Sequence, residues 1–170
     1  MRATVYWIAG PWRGRLAILP RPRGGDWLED EIRSWHLAGI NVVVSSLMSD
    51  EITELDLTRE AELCQANGME YIAIPIKDRE VPSSLAVIAE MVRQLESKLA
   101  EGKHVAIHCR AGVGRSALLA ACLLAASGLD LDRAFGRIRE ARGCSVPDTP
   151  EQREWVARFA RDFSATLSKN

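Results

Sequence analysis

The stretch HVAIHCRAGVGRSALLAACLLAASG, residues 104–128, passes from a β-rich run through a glycine-punctuated loop into an apolar helix. Strand, tight loop and helix in direct succession are the start of βαβ logic, and the rest of the chain follows the same alternation. Strands are expected at Ala3–Ala9, Arg15–Leu19, Ile40–Ser45, Met69–Ile74 and His104–His108. Between them lie helices at Asp26–Ala38, at Leu57–Asn67 with Gly68 as its C-terminal cap, and at Ser84–Ala100, where Ile88, Met91, Val92, Leu95 and Leu99 recur at helical spacing. Three further helices are expected at Arg115–Ser127, Asp132–Ala141 and Pro150–Ser164. The last opens on TPEQ, with Thr149 as N-cap, Pro150 in the first helical position and Gln152 completing a capping box. The expected fold is α/β: a central, mainly parallel (mixed) sheet of about five strands with helices on both faces.

At 170 residues, with no internal repeat and no dividing linker, the chain fits a single domain over 1–170. A domain of that size buries about 70% of the surface its unfolded form exposes. Lys plus Arg number 22 against 23 for Asp plus Glu, so no global positive field draws the chain to nucleic acid or to an anionic membrane. Affinity for phosphate must be local. The N-terminus has neither the apolar core nor the cleavage site of a signal peptide, and the apolar run after Ser116 is too short to span a bilayer. The expectation is a soluble cytoplasmic protein, a monomer by default. The four cysteines (Cys64, Cys109, Cys122 and Cys144) form no CxxC pair and no metal-ligand spacing with the three histidines, which favours free thiols.

In CRAGVGR, Gly112 and Gly114 permit tight backbone turns just before a helix N-terminus. Such a loop gathers backbone N–H groups into one anion-binding concavity, here built by Arg110, Ala111, Gly112, Val113 and Gly114. Arg115, at the start of the helix, offers a planar fork that can grip two phosphate oxygens. Cys109 lies at the bottom, where the helix N-terminus and the guanidinium favour its thiolate, a nucleophile facing any bound phosphate. Ser116 can donate its hydroxyl to that sulfur. His108 either polarises the backbone around Cys109 or is a buried histidine satisfied by hydrogen bonds. A nucleotide-binding GxxxxGK[ST] string is absent.

HCRAGVGRS resembles the HCxxGxxRS signature of the cysteine-dependent protein tyrosine phosphatase superfamily, and the short chain resembles its dual-specificity branch. Rhodanese-like sulfur carriers also begin an anion-cradling loop with Cys and Arg, but that loop is one residue shorter. The resemblance implies a protein tyrosine phosphatase-like fold and a cysteinyl-phosphate mechanism without metal or other cofactor. It implies Cys109, Arg115 and Ser116 as catalytic residues and a phosphorylated protein or small phosphomonoester as partner.

Expelling an alkoxide or phenoxide requires a general acid. In YIAIPIKDREVPS, Asp78 follows a strand and a proline and resembles the P-x-x-D acid loop of dual-specificity phosphatases. Glu80 is the fallback, and Asp148 reads as a turn residue. Gln152 is either the cap partner of Thr149 or a positioner of the hydrolytic water.

Arg13, Arg15, Arg21 and Arg23 form either a basic wall beside the phosphate site or a set of surface arginines. Trp27 and Trp35, eight apart, are expected in the core, as is Cys122. Cys64 is expected to be packed, with a redox pairing to Cys109 as the alternative that some relatives suggest. Substrates implied are phosphotyrosine and phosphoserine or phosphothreonine in proteins. Inositol phosphate or phospholipid phosphatases of the superfamily usually carry lysines in the loop, where this chain has Ala111 and Val113, although Arg110 keeps that alternative open. A non-catalytic phospho-binding module is the third class, opposed by the presence of cysteine, arginine and acid together.

Overall fold

The computed structural model describes residues 2–168. Five strands, β1 (Tyr6–Ile8), β2 (Leu16–Leu19), β3 (Val42–Ser45), β4 (Glu70–Ala73) and β5 (Val105–His108), form one sheet in the order β1-β2-β5-β3-β4. Only β1 and β2 pair antiparallel; the other neighbours are parallel, so the sheet is mixed and mainly parallel as expected.

Strand periodicity explains how this sheet builds two cores. Leu16, Ile18, Val42, Val44, Val105 and Ile107 face one side, where they pack with α4 (Leu85–Ala100), α5 (Arg115–Ala126), α6 (Leu131–Arg142) and α7 (Pro150–Ser168). Ala17, Leu19, Val43 and Ala106 face the other, against α1 (Leu28–Leu37) and α3 (Glu60–Ala66). Every residue of β2, β3 and β5 is buried, and so is α5 from Arg115 to Leu124, which explains why that helix is apolar all round. The central strand β5 and the helix after it therefore form the axis of the molecule.

Side chains cap several helix starts. Ser84 accepts from the amide of Val87 at the start of α4, and Asp130 from that of Arg133 at the start of α6. Thr149 and Gln152 form the reciprocal capping box at α7: Gln152 N–H donates to Thr149 Oγ1 (3.1 Å) and Thr149 N–H to Gln152 Oε1 (3.2 Å). Gly68 closes α3 with φ of 77°.

Some elements differ from expectation. The first strand is confined to Tyr6–Ile8, and α3 starts at Glu60 instead of Leu57. The first long helix is split into a 3₁₀ turn, Gly25–Trp27, followed by α1. The tighter turn breaks the 3.6-residue register, so Trp35 is buried while Trp27 is 55% exposed, with the Arg23 guanidinium 4.2 Å above its ring. A short helix, α2 (Ser49–Glu54), has no counterpart in the sequence reading. No helix among the described residues is long and apolar enough to cross a membrane.

Candidate active site

The site lies at the carboxyl ends of β3 and β5, where open parallel sheets gather their ligands. The chain leaves β5 at His108 and turns through residues 109–114 into α5. Gly112 adopts φ of 74°, and a Cβ there would come within 2.8 Å of the Leu19 carbonyl oxygen at the end of β2. Glycine is thus required twice, for the left-handed backbone and for the close approach. A Cβ on Gly114 would meet the Asp148 carboxylate at 2.2 Å, so the residue read from sequence as a turn aspartate sits against the loop. Arg142, at the end of α6, donates to the carbonyls of Gly112 (3.1 Å) and Ala111 (3.2 Å) and lies over the Tyr6 ring, tying the loop to the body of the fold.

Cys109 is 3% exposed at the bottom of the loop. Its Sγ lies 3.3 Å from Ser116 Oγ and accepts from the Gly112 amide at 3.2 Å. Burial pushes this thiol up, but the Ser116 hydroxyl and the amides of Ser116, Gly112 and Val113 outweigh it and hold its pKa below the ordinary thiol value. Burial acts unopposed on Cys122, which is driven well up; Cys64 rises to about 12 through burial and then the charge of Glu60. Both are buried, and all four thiols are free. Only Cys109 combines a lowered pKa with a place in the loop.

Arg115 is 1% exposed, with both terminal nitrogens engaged. Nη1 and Nη2 donate to Glu51 Oε2 (2.7 Å) and Oε1 (2.9 Å) in a bidentate pair, and Nη1 also donates to the carbonyl of Ile76 (2.8 Å). Nη2 lies 3.2 Å from Asp78 Oδ1. Asp78 therefore pairs with the loop arginine and is half exposed at the mouth of the site. Glu51 was not among the residues singled out from sequence. It is 6% exposed, accepts from the Met48 amide at the start of α2, and its carboxyl is held below the usual range because Arg115 and Met48 outweigh burial. Short α2 exists in the right place to aim this carboxylate at the guanidinium.

The remaining sequence candidates fall around this core. His108 is fully buried, with Nδ1 at 3.1 Å from the Cys109 carbonyl and Nε2 against Glu60. Arg110 is part-exposed and pairs with Glu54 (3.3 Å) and Glu51 (3.8 Å). Gln152 is buried; besides its cap role, its Nε2 donates to the Glu80 carbonyl (3.2 Å), so it ties the acid loop to α7. In the arginine-rich segment, Arg15 stacks on Trp7 and Arg23 pairs with Glu31.

Over 141 residues, the chain is 33% identical to Cyclin-dependent kinase inhibitor 3 of Sus scrofa, covering 82% of this chain and 65% of that protein. It thus spans just under two thirds of the length of that curated relative. It is also 31% identical over 102 residues to the phosphatidylglycerophosphate phosphatase PTPMT2 of Arabidopsis thaliana, 59% of this chain and 44% of that protein. Among solved structures, kinase associated phosphatase (KAP), with its catalytic site cysteine replaced by serine, superposes with a TM-score of 0.89 at 21% identity. That match covers 97% of this chain and 98% of the other and shows a shared fold. Residues 41–161, which hold β3 through most of α7 and with them the whole loop, match the dual specificity phosphatase catalytic domain: the chain belongs to that family.

Proposed function

We propose that the protein is a phosphomonoester hydrolase of protein tyrosine phosphatase type, acting on phosphotyrosine and on phosphoserine or phosphothreonine through a cysteinyl-phosphate intermediate. The observation that carries this reading is the sulfur of Cys109, set beneath the loop amides and beside Ser116, with a bidentate-anchored Arg115 at the same loop.

Cys109 thiolate attacks phosphorus in line with the leaving oxygen, forming the S–P bond as the P–O bond breaks. The amides of residues 110–115 and the Arg115 guanidinium hold the equatorial oxygens while charge shifts. Bound phosphate competes for Arg115 Nη2, which releases Asp78 from its ion pair; having taken a proton from solvent, Asp78 turns toward the leaving oxygen and donates that proton to it as the P–O bond breaks. Asp78, now a carboxylate, takes a proton from the water that attacks the phosphocysteine, and the Ser116 hydroxyl stabilises the departing thiolate. No step calls on a metal or another cofactor.

Substrate charge favours the protein reading over a polyanionic head group. Arg110, the one extra cation in the loop, is paired with Glu54 and Glu51, and Ala111 and Val113 add none. The similarity to a phosphatidylglycerophosphate phosphatase supports the second reading, a phospholipid or inositol phosphate phosphatase. We also place the protein in the cytoplasm, where its free thiols stay reduced, and as a monomer. kcat/KM measured in chelator for matched phosphotyrosine and phosphothreonine peptides and for phosphatidylglycerophosphate, with Cys109→Ser as blank, decides among these. Turnover of both peptides above the lipid is expected. Turnover of the lipid alone selects the second reading, and cleavage of nothing above the blank rejects a catalytic role.

A further inference from the structure

Behind the loop, away from the phosphate side, lies a buried acid that the mechanism above does not use. Glu60, the first residue of α3, is 1% exposed, and its Oε1 lies 2.5 Å from His108 Nε2. Its Oε2 has no hydrogen-bond partner among the described residues. The other ring nitrogen, His108 Nδ1, faces the Cys109 carbonyl oxygen at 3.1 Å. A carbonyl only accepts, so the ring donates from Nδ1; against a carboxylate, which also only accepts, it would donate from Nε2 as well.

The surroundings leave few other charges nearby. Tyr71 of β4 and Cys64 of α3 both feel Glu60, and burial together with that charge pushes each to about 12, so both stay neutral in the physiological range. The Trp35 ring of α1 covers the imidazole at 5.8 Å between centroids and carries no charge. On the loop side the ionisable groups are Cys109 itself and Arg115, whose charges also feel each other.

We propose that Glu60 is a positioning residue for the nucleophile: a buried counter-charge that keeps His108 as an imidazolium with its Nδ1 proton fixed on the Cys109 carbonyl, presenting the positive end of the pair to the sulfur. The proposal rests on the reading of Cys109 as nucleophile. Burial alone would push His108 down, but Glu60 and the Cys109 carbonyl raise it, and the Cys109 charge adds to them. Coupling of this kind is reciprocal, so the imidazolium favours the thiolate by as much as the thiolate favours the imidazolium. Glu60 thus acts through His108 and touches neither sulfur nor phosphate.

The test is the pH dependence of Cys109 alkylation by iodoacetamide, read by mass spectrometry on the Cys109 peptide, in the wild-type protein and in Glu60→Gln. The glutamine oxygen still accepts from Nε2 but carries no charge. The alkylation midpoint is expected to rise by about one pH unit, slowing the reaction about tenfold below it. A lowered Tm with an unmoved midpoint would reduce Glu60 to a structural role and overturn the proposal. If Glu60→Gln does not fold, side-chain ¹⁵N shifts of His108 in the wild-type protein serve instead. Protonation of both nitrogens near neutral pH is expected, and a neutral ring beside a protonated Glu60 overturns it. Neither readout needs turnover, so an inactive protein would reject the catalytic reading while the role of Glu60 was still decided.

Discussion

Arg115 is the residue on which the site converges, because one buried guanidinium meets Glu51, Asp78 and the Ile76 carbonyl at once. Removing the charge of Glu51 leaves the cation without its bidentate partner, and breaking one side of a buried pair costs about 3–5 kcal/mol. Glu51→Gln is therefore expected to lower stability by that order in urea titration and to raise KM for phosphopeptides as the fork loses its orientation. Asp78→Ala is expected to lower kcat by roughly 10²–10⁴ for substrates with poor leaving groups, and far less for nitrophenyl phosphate, whose leaving oxygen needs little protonation. An equal loss on both substrates would move the acid role elsewhere. At this scale the sequence was informative where chemistry is local: Cys109, Ser116 and Arg115 fall within one loop and the first turn of its helix. Glu51 and Glu60 were invisible because their partners lie 64 and 48 residues away. Nothing in SDEITE or REAELC distinguishes a buried carboxylate from one on a solvated helix face.

Among the elements, the loop depends on backbone shape more than on side-chain contacts. Gly112→Ala places a Cβ on a residue at φ of 74° and within 2.8 Å of the Leu19 oxygen. The left-handed conformation alone costs a non-glycine residue roughly 1–2 kcal/mol, and the backbone contact adds to it. A fall in Tm together with a loss of phosphate affinity is expected; retention of both would mean that the loop has more room than its packing shows. The strand-loop-helix axis and α4 were legible because burial on every side, or on one helical stripe, writes itself into apolar periodicity. Short α2 was not, since its six residues, SDEITE, carry one apolar side chain, too few for a helical stripe, and its N-cap is Met48. Trp27 misled for a related reason: helical spacing to Trp35 counts only if the first turn is α-helical, and here it is 3₁₀.

For the molecule as a whole, the buried pair predicts a pH dependence of stability with a definite sign. The Glu51 carboxyl is lowered in the folded state, so its contribution is complete above the ordinary value of 4.5 and is lost as pH falls through the lowered folded value. The Tm difference between wild type and Glu51→Gln is expected to be constant near neutrality and to shrink below that point; a difference independent of acid would detach the pair from the stability of the fold. The arrangement of layers was the most legible property of all, since alternating β and helical runs leave few ways to cover a parallel sheet. What the pattern could not supply was which carboxylates turn inward at the ends of those strands.

The account stands on a covalent bond between the Cys109 sulfur and phosphorus. Rapid mixing of enzyme with a phosphotyrosine peptide, acid quench and mass spectrometry of the Cys109 peptide tests it directly, with Asp78→Ala used to slow hydrolysis of the intermediate. A phosphoryl group on Cys109 that appears with substrate and decays with turnover is the predicted result. Turnover without phosphate on that cysteine, or undiminished turnover by Cys109→Ser, would contradict it.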